Sequence, residues 1–136
     1  MTGQDEDPRM RIAVWHNLPS GGGKRALYDQ IRGLLELGHH VESWCPPSAD
    51  ESFLPLGDLV TEHVVELAPS PRGIGVTLRE IALDHNSDVH AMDEHCSRCA
   101  HEIDSGGFDI LFANSCMYYR VTSIGRQVSV PAALYL

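Results

Sequence analysis

The sequence predicts an α/β domain, a parallel sheet with helices on both faces, and three observations lead there. Short runs of apolar and β-branched residues (10–15, 40–45, 62–67, 108–113 and 130–136) alternate with stretches whose apolar residues recur at three-and-four spacing. The resulting order, β-α-β-loop-β-α-β-α-β, is that of strands joined by right-handed helical crossovers. Finally, the chain has 136 residues, of which 43% are apolar and 21% charged, enough apolar material for one buried core and too much for a disordered segment.

Residues 1–9 are polar, acidic and aperiodic, and read as a disordered tail before a domain spanning 10–136. The first strand leaves through a loop, 16–23, that ends in Gly21, Gly22 and Gly23. A helix over 24–37 follows, with Leu27, Ile31, Leu34 and Leu35 on one face and Gly38 at its C-terminal stop. The second strand is ended by Pro46 and Pro47, which can neither donate ladder bonds nor continue it. Residues 46–61 form an irregular connection whose Phe53, Leu54, Leu56 and Leu59 are too apolar for a free linker, so part of it folds back on the domain. After the third strand, Leu78, Ile81, Ala82, His85, Val89, Met92, Cys96, Cys99 and Ile103 form one stripe. They belong to one long helix, or to two halves meeting near Asn86, Ser87 and Asp88, which cap better than they propagate. Gly106 and Gly107 end it, a buried strand follows at 108–113, and residues 115–128 form a short helix or a helix plus loop. The last strand runs straight to Leu136 with no turn or polar tail, from which we expect a fragment of something longer.

A net charge of −9, with no basic cluster beyond Lys24 and Arg25, removes the electrostatic footprint for nucleic acid and argues against a membrane surface. With neither a spanning apolar run nor a secretory signal, a cytoplasmic location is expected, and the four cysteines read as reduced thiols. His95, Cys96, Cys99 and His101 are zinc-ligand types, but Cys96 and Cys99 fall on the apolar stripe, where cysteine packs as a small hydrophobe. No metal is expected, and His85 reads as a hydrogen-bonded core histidine.

The glycines carry the first functional hypothesis. Glycine lets backbone N–H groups approach an anion at a helix N-terminus, where the dipole already favours negative charge; the alternative is a merely flexible strand–helix connection. A P-loop is excluded, since Leu18 stands where its first glycine belongs and Arg25 where Ser or Thr belongs. The dinucleotide fingerprint fits formally at Gly21, Gly23 and Ala26 with Glu42 downstream, but residues 16–20 intervene between strand and glycines.

The stretch 10–28, with His16-Asn17-Leu18-Pro19-Ser20-Gly21-Gly22-Gly23 at its centre, followed by Gly38-His39-His40-Val41, closely resembles the opening of the family 4 (group 1) retaining glycosyltransferases of GT-B fold. Phe108-Asp109-Ile110 and the run 130–135 resemble that family's next strands. The resemblance implies a Rossmann-like N-terminal, acceptor-side domain, with the nucleotide-sugar donor held by a C-terminal domain in cis and the sugar passed to a sugar or lipid-linked acceptor. No cofactor is implied, the nucleotide-sugar being a substrate, and the chain alone would be inactive. By similarity Gly21, Gly22, Gly23 and Lys24 face the donor diphosphate. His16, Asn17 and Asn114, the last standing where many relatives have histidine, would line the acceptor cleft, and no catalytic residue is assigned. Tyr118 and Arg120, just past the fourth strand, are further acceptor contacts by position, or core packing in the case of a tyrosine. The rival reading is a stand-alone nucleotide- or phosphate-binding regulatory module without catalysis.

Overall fold

The computed structural model describes residues 8–67, 78–116 and 122–135, with 78–88 as backbone. The elements are β1 (Arg11–Asn17), α1 (Gly22–Glu36), β2 (His40–Cys45), a 3-10 turn (Leu56–Asp58), β3 (Thr61–Val64), α2 (Leu78–Ser105), β4 (Ile110–Cys116), α3 (Ile124–Gln127) and β5 (Ala132–Tyr135). The strands form one five-stranded sheet in the order β3-β2-β1-β4-β5, with every pairing parallel. This is the expected α/β class.

β1 is central, and its residues after Arg11 are all buried, because a strand covered on both faces has no polar side to show. The two faces separate by alternation. Ile12, Val14 and Val41 join Leu27 and Ile31 of α1 in one cluster, completed by Leu56 from the connection after β2. Ala13, Trp15, Trp44, Leu111 and Ala113 join Met92, Cys96, Cys99 and Ile103 of α2 in the other. α1 stops at Gly38, whose φ of 91° is the left-handed conformation that lets the N–H groups of Gly38 and His39 return to the carbonyls of Leu35 and Leu34.

α2 is a single helix with no break at 86–88, the first of the two alternatives. Other boundaries differ from expectation. β4 runs on to Cys116, with a register shift: Trp15 pairs Ala113, but Asn17 pairs Cys116, so β4 carries one extra residue there. The polar pair Asn114 and Ser115 hides this continuation from a hydrophobicity reading. Of the stretch 115–128, expected as a short helix or a helix plus loop, only Ile124–Gln127 is helical among the described residues. β3 begins one residue earlier than expected and stops at Val64. Among the described residues no helix is long and apolar enough to cross a membrane. Most of the expected acidic tail, together with His85, Tyr118 and Arg120, falls outside what the structure describes in side-chain detail.

Candidate functional site at the carboxyl edge of the sheet

β1 hands the chain to the glycine loop beside the point where the strand order reverses, between β1 and β4, which in open α/β sheets is where ligands settle. Gly21 has φ 143° and ψ −162°, a conformation that L side chains rarely adopt. Gly22 and Gly23 have no such need. A Cβ on Gly22 would meet nothing within 4 Å, and one on Gly23 would meet only Leu18 Cδ2 at an ordinary 3.7 Å. All three glycines are exposed. Turn geometry thus explains the first glycine, whereas open space lies above Gly22, and Gly23 has only an ordinary contact to Leu18. α1 starts at Gly22 with no side-chain cap and no acidic residue in its first turn, leaving its N-terminal donors and positive dipole end open to an anion.

Lys24 does not stay at the surface with the glycines. Its side chain is fully buried, and Nζ donates to the Asp50 carbonyl at 2.9 Å. The Asp50 N–H in turn donates to the Leu18 carbonyl at 3.0 Å, so the connection after β2 is fastened to the glycine loop from both sides.

Below this clamp lies a polar cluster on the α1 side of the sheet. Ser43 of β2 pairs Glu62 of β3, and Ser43 Oγ donates to Glu62 Oε2 at 2.8 Å. One alternation further along the strands come His16 and Cys45. Cys45 Sγ donates to Glu62 Oε1 at 3.1 Å and lies 3.6 Å from Glu51 Oε1, contributed by the connection. His16 Nε2 is 3.6 Å from Glu62 Oε1, too long for a hydrogen bond, and neither ring nitrogen has a hydrogen-bond partner although the residue is 0% exposed. One ligand atom from each of His16, Cys45, Glu51 and Glu62 falls within 4.8 Å of the others.

The environment separates the two carboxyls. Burial and the adjacent Glu62 push Glu51 up to about 7. Burial alone would raise Glu62 too, but His16, Glu51 and Cys45 around it hold it well below the usual carboxylate range. Burial lowers His16 against the pull of Glu62, and burial with the two carboxyls raises the Cys45 thiol.

The remaining expected site residues are placed as follows. Asn17 is fully buried, donating from Nδ2 to Cys116 Sγ at 3.2 Å and accepting from Ser48 Oγ at 2.9 Å. Asn114 is 4% exposed and donates to the Trp15 carbonyl at 3.3 Å. Both therefore stitch β1 to its surroundings. The structure brings His16, Asn17, Lys24 and Asn114 to one edge beneath the glycines, but as buried groups. Residues 95–101 are a different case. His95 Nε2 accepts from Trp15 Nε1 at 3.0 Å and Nδ1 donates to the Val65 carbonyl at 2.8 Å, a fully satisfied neutral ring. Cys96 and Cys99 are fully buried, whereas His101 is exposed.

Cys45, Glu51 and Glu62 escaped the sequence reading. Only the register, with Trp15 opposite Trp44 and Ser43 opposite Glu62, sets His16, Cys45 and Glu62 on one face. Glu51 comes from irregular chain with no periodicity to signal it.

No protein-family model matches the chain, and no curated protein sequence matches it. Solved structures do. The chain is similar to the C-terminal domain of the PF1911 hydrogenase from Pyrococcus furiosus, with a TM-score of 0.53 and 14% identity over 94% of this chain and 95% of that one. It is equally similar to Arabidopsis thaliana UGT89C1 complexed with UDP, with a TM-score of 0.53 and 14% identity over 92% of this chain. It spans 33% of the length of UGT89C1. At this identity the likeness concerns the fold alone: the chain has a Rossmann-like parallel α/β architecture that it shares with the matched part of UGT89C1.

Proposed function

We propose that the chain is the acceptor-side, N-terminal domain of a retaining family 4 glycosyltransferase, and that its glycine loop receives the diphosphate of a nucleotide-sugar held by a second domain in cis. The observation that carries this reading is the glycine loop itself, exposed, open above Gly22 and leading into an uncapped helix N-terminus at the sheet's switch point. The family resemblance of the surrounding stretch and the shared fold support it.

The chemistry follows from the charge that develops. As the bond from sugar to diphosphate breaks, negative charge accumulates on the departing phosphate oxygens. Fixed backbone N–H groups of Gly21, Gly22 and Gly23 stabilise that charge without reorganising. Lys24, buried behind the loop, adds a positive charge that solvent screens poorly. The chain's part is to bind and orient the leaving group, with the donor sugar gripped from the other side of the cleft.

A donor screen on the full-length protein carrying this chain, reading released nucleoside diphosphate, tests the assignment. Gly22→Val should abolish release while changing stability by only about 1 kcal/mol, since the new side chain meets open space. Intact turnover, or an unfolded domain, would overturn the phosphate assignment. The burial of His16, Asn17 and Asn114, which offer no side chain to an acceptor, favours a second reading as a binding module without transfer. Saturable binding of a nucleoside diphosphate with no sugar released from any donor would select it.

A further inference from the structure

The cluster under the glycine loop, with His16 and Cys45 buried, Glu62 half-buried and Glu51 exposed, has the composition of a metal site, and it lies on residues that the proposed sugar transfer does not use. We infer that His16, Cys45, Glu51 and Glu62 bind one divalent transition-metal ion, zinc by the nature of the donors.

Two independent observations point to it. The first is convergence. Ligand bonds of about 2.0–2.3 Å set tetrahedral neighbours about 3.3–3.8 Å apart. Here Cys45 Sγ to Glu51 Oε1 and His16 Nε2 to Glu62 Oε1, both 3.6 Å, fall within that range, Cys45 Sγ to Glu62 Oε1 is shorter at 3.1 Å, and all four ligand atoms lie within 4.8 Å of one another. The second is His16, a fully buried imidazole whose two nitrogens find no hydrogen-bond partner. Buried polar atoms are nearly always satisfied, and a cation among the thiol and carboxylates would take the lone pair of one of these two ring nitrogens.

Charge favours a divalent ion. On binding, the Cys45 thiol loses its proton to solvent and the sulfur donates its lone pair to the metal. The thiolate and two carboxylates then carry three negative charges, against two on the metal and one on Lys24, which also faces Glu51 and His16. The site closes near neutrality, where a monovalent ion would leave its buried part negative. One sulfur, one nitrogen and two oxygens suit zinc, whereas magnesium and calcium take oxygen alone. Held this way, the ion fastens the carboxyl ends of β1 and β2 and the start of β3 to the connection carrying Glu51.

The purified chain, stripped with chelator and confirmed folded by circular dichroism, is titrated with zinc and, separately, with cobalt. We expect one zinc per chain with a dissociation constant tighter than about 10 μM, a raised melting temperature, and a near-ultraviolet thiolate-to-cobalt band. Cys45→Ser should remove the band, and Cys99→Ala should keep it. Glu51→Gln replaces an exposed residue, so it preserves the fold and should weaken zinc by about tenfold or more. His40 and His63, both against Glu42, offer a histidine–carboxylate surface site without sulfur, so binding there gives no such band. The inference is overturned if the folded chain takes up no zinc, if cobalt binds without the band, or if Glu51→Gln leaves affinity unchanged.

Discussion

Two groups of histidine and cysteine in this chain make opposite use of the same side chains. Residues 95–101 look like a ligand motif in the sequence, yet the helix distributes them. His95 turns to Trp15 and Val65 with Cys99 Sγ 3.5 Å from its Nε2, Cys96 lies 3.5 Å from Thr122 Oγ1, and His101 faces solvent. His16, Cys45, Glu51 and Glu62 come from four separate segments and still converge. Residues close in sequence are spread around a helix axis at 3.6 per turn, while parallel strands collect distant residues at one end of the sheet. The two histidines record the difference: His95 is satisfied at both nitrogens and His16 at neither.

The largest effect that sharpens this contrast is expected at His95. His95→Ala leaves a cavity and strands the Trp15 Nε1–H and the Val65 carbonyl, so denaturant unfolding should show a loss of about 3 kcal/mol or more. His16→Leu removes two unpartnered nitrogens at similar volume and should shift metal-free stability by less than about 1 kcal/mol, in either direction. A reversed ranking would break the comparison.

Next comes pH. Burial lowers His95 from its ordinary 6.5 to about 4, so the unfolded chain binds this proton more readily than the folded one. The stability His95 contributes is therefore whole above pH 6.5 and declines as pH falls toward 4, by about 2–3 kcal/mol in all. Paired pH series of the wild type and His95→Gln isolate this from the carboxylates, and parallel curves would show that the ring does not titrate in that window.

The smallest effect concerns the helix thiols. Cys96 and Cys99 are fully buried, and burial raises both thiols, so they should label slowly in the native state, rapidly after unfolding, and at the same native rate with or without zinc. Zinc-dependent labelling at Cys99 would move the metal to the helix.

Much of the fold was legible because its cause is local. The both-face burial of β1 appears as an unbroken apolar run, and the α2 stripe keeps its period through Ile103. The extension of β4 was not legible, because Asn114 and Ser115 break the apolar run, and Asn114 is polar for a tertiary reason: it bonds the Trp15 carbonyl beside the register shift. The glycine loop was legible as a motif, and its openness only from coordinates. Lys24 shows the limit most plainly. Beside three glycines it reads as a surface charge, but the Asp50 carbonyl, brought in by the connection, takes its ammonium inside.

That connection makes the two loops at the sheet edge one mechanical body. Asp50 holds Leu18 by its N–H and Lys24 by its carbonyl, so the glycine loop cannot shift without carrying the segment that bears Glu51. A coupling between an anion above and a cation below would run through these two hydrogen bonds, and it would be reciprocal, each ligand altering the other's affinity by the same factor.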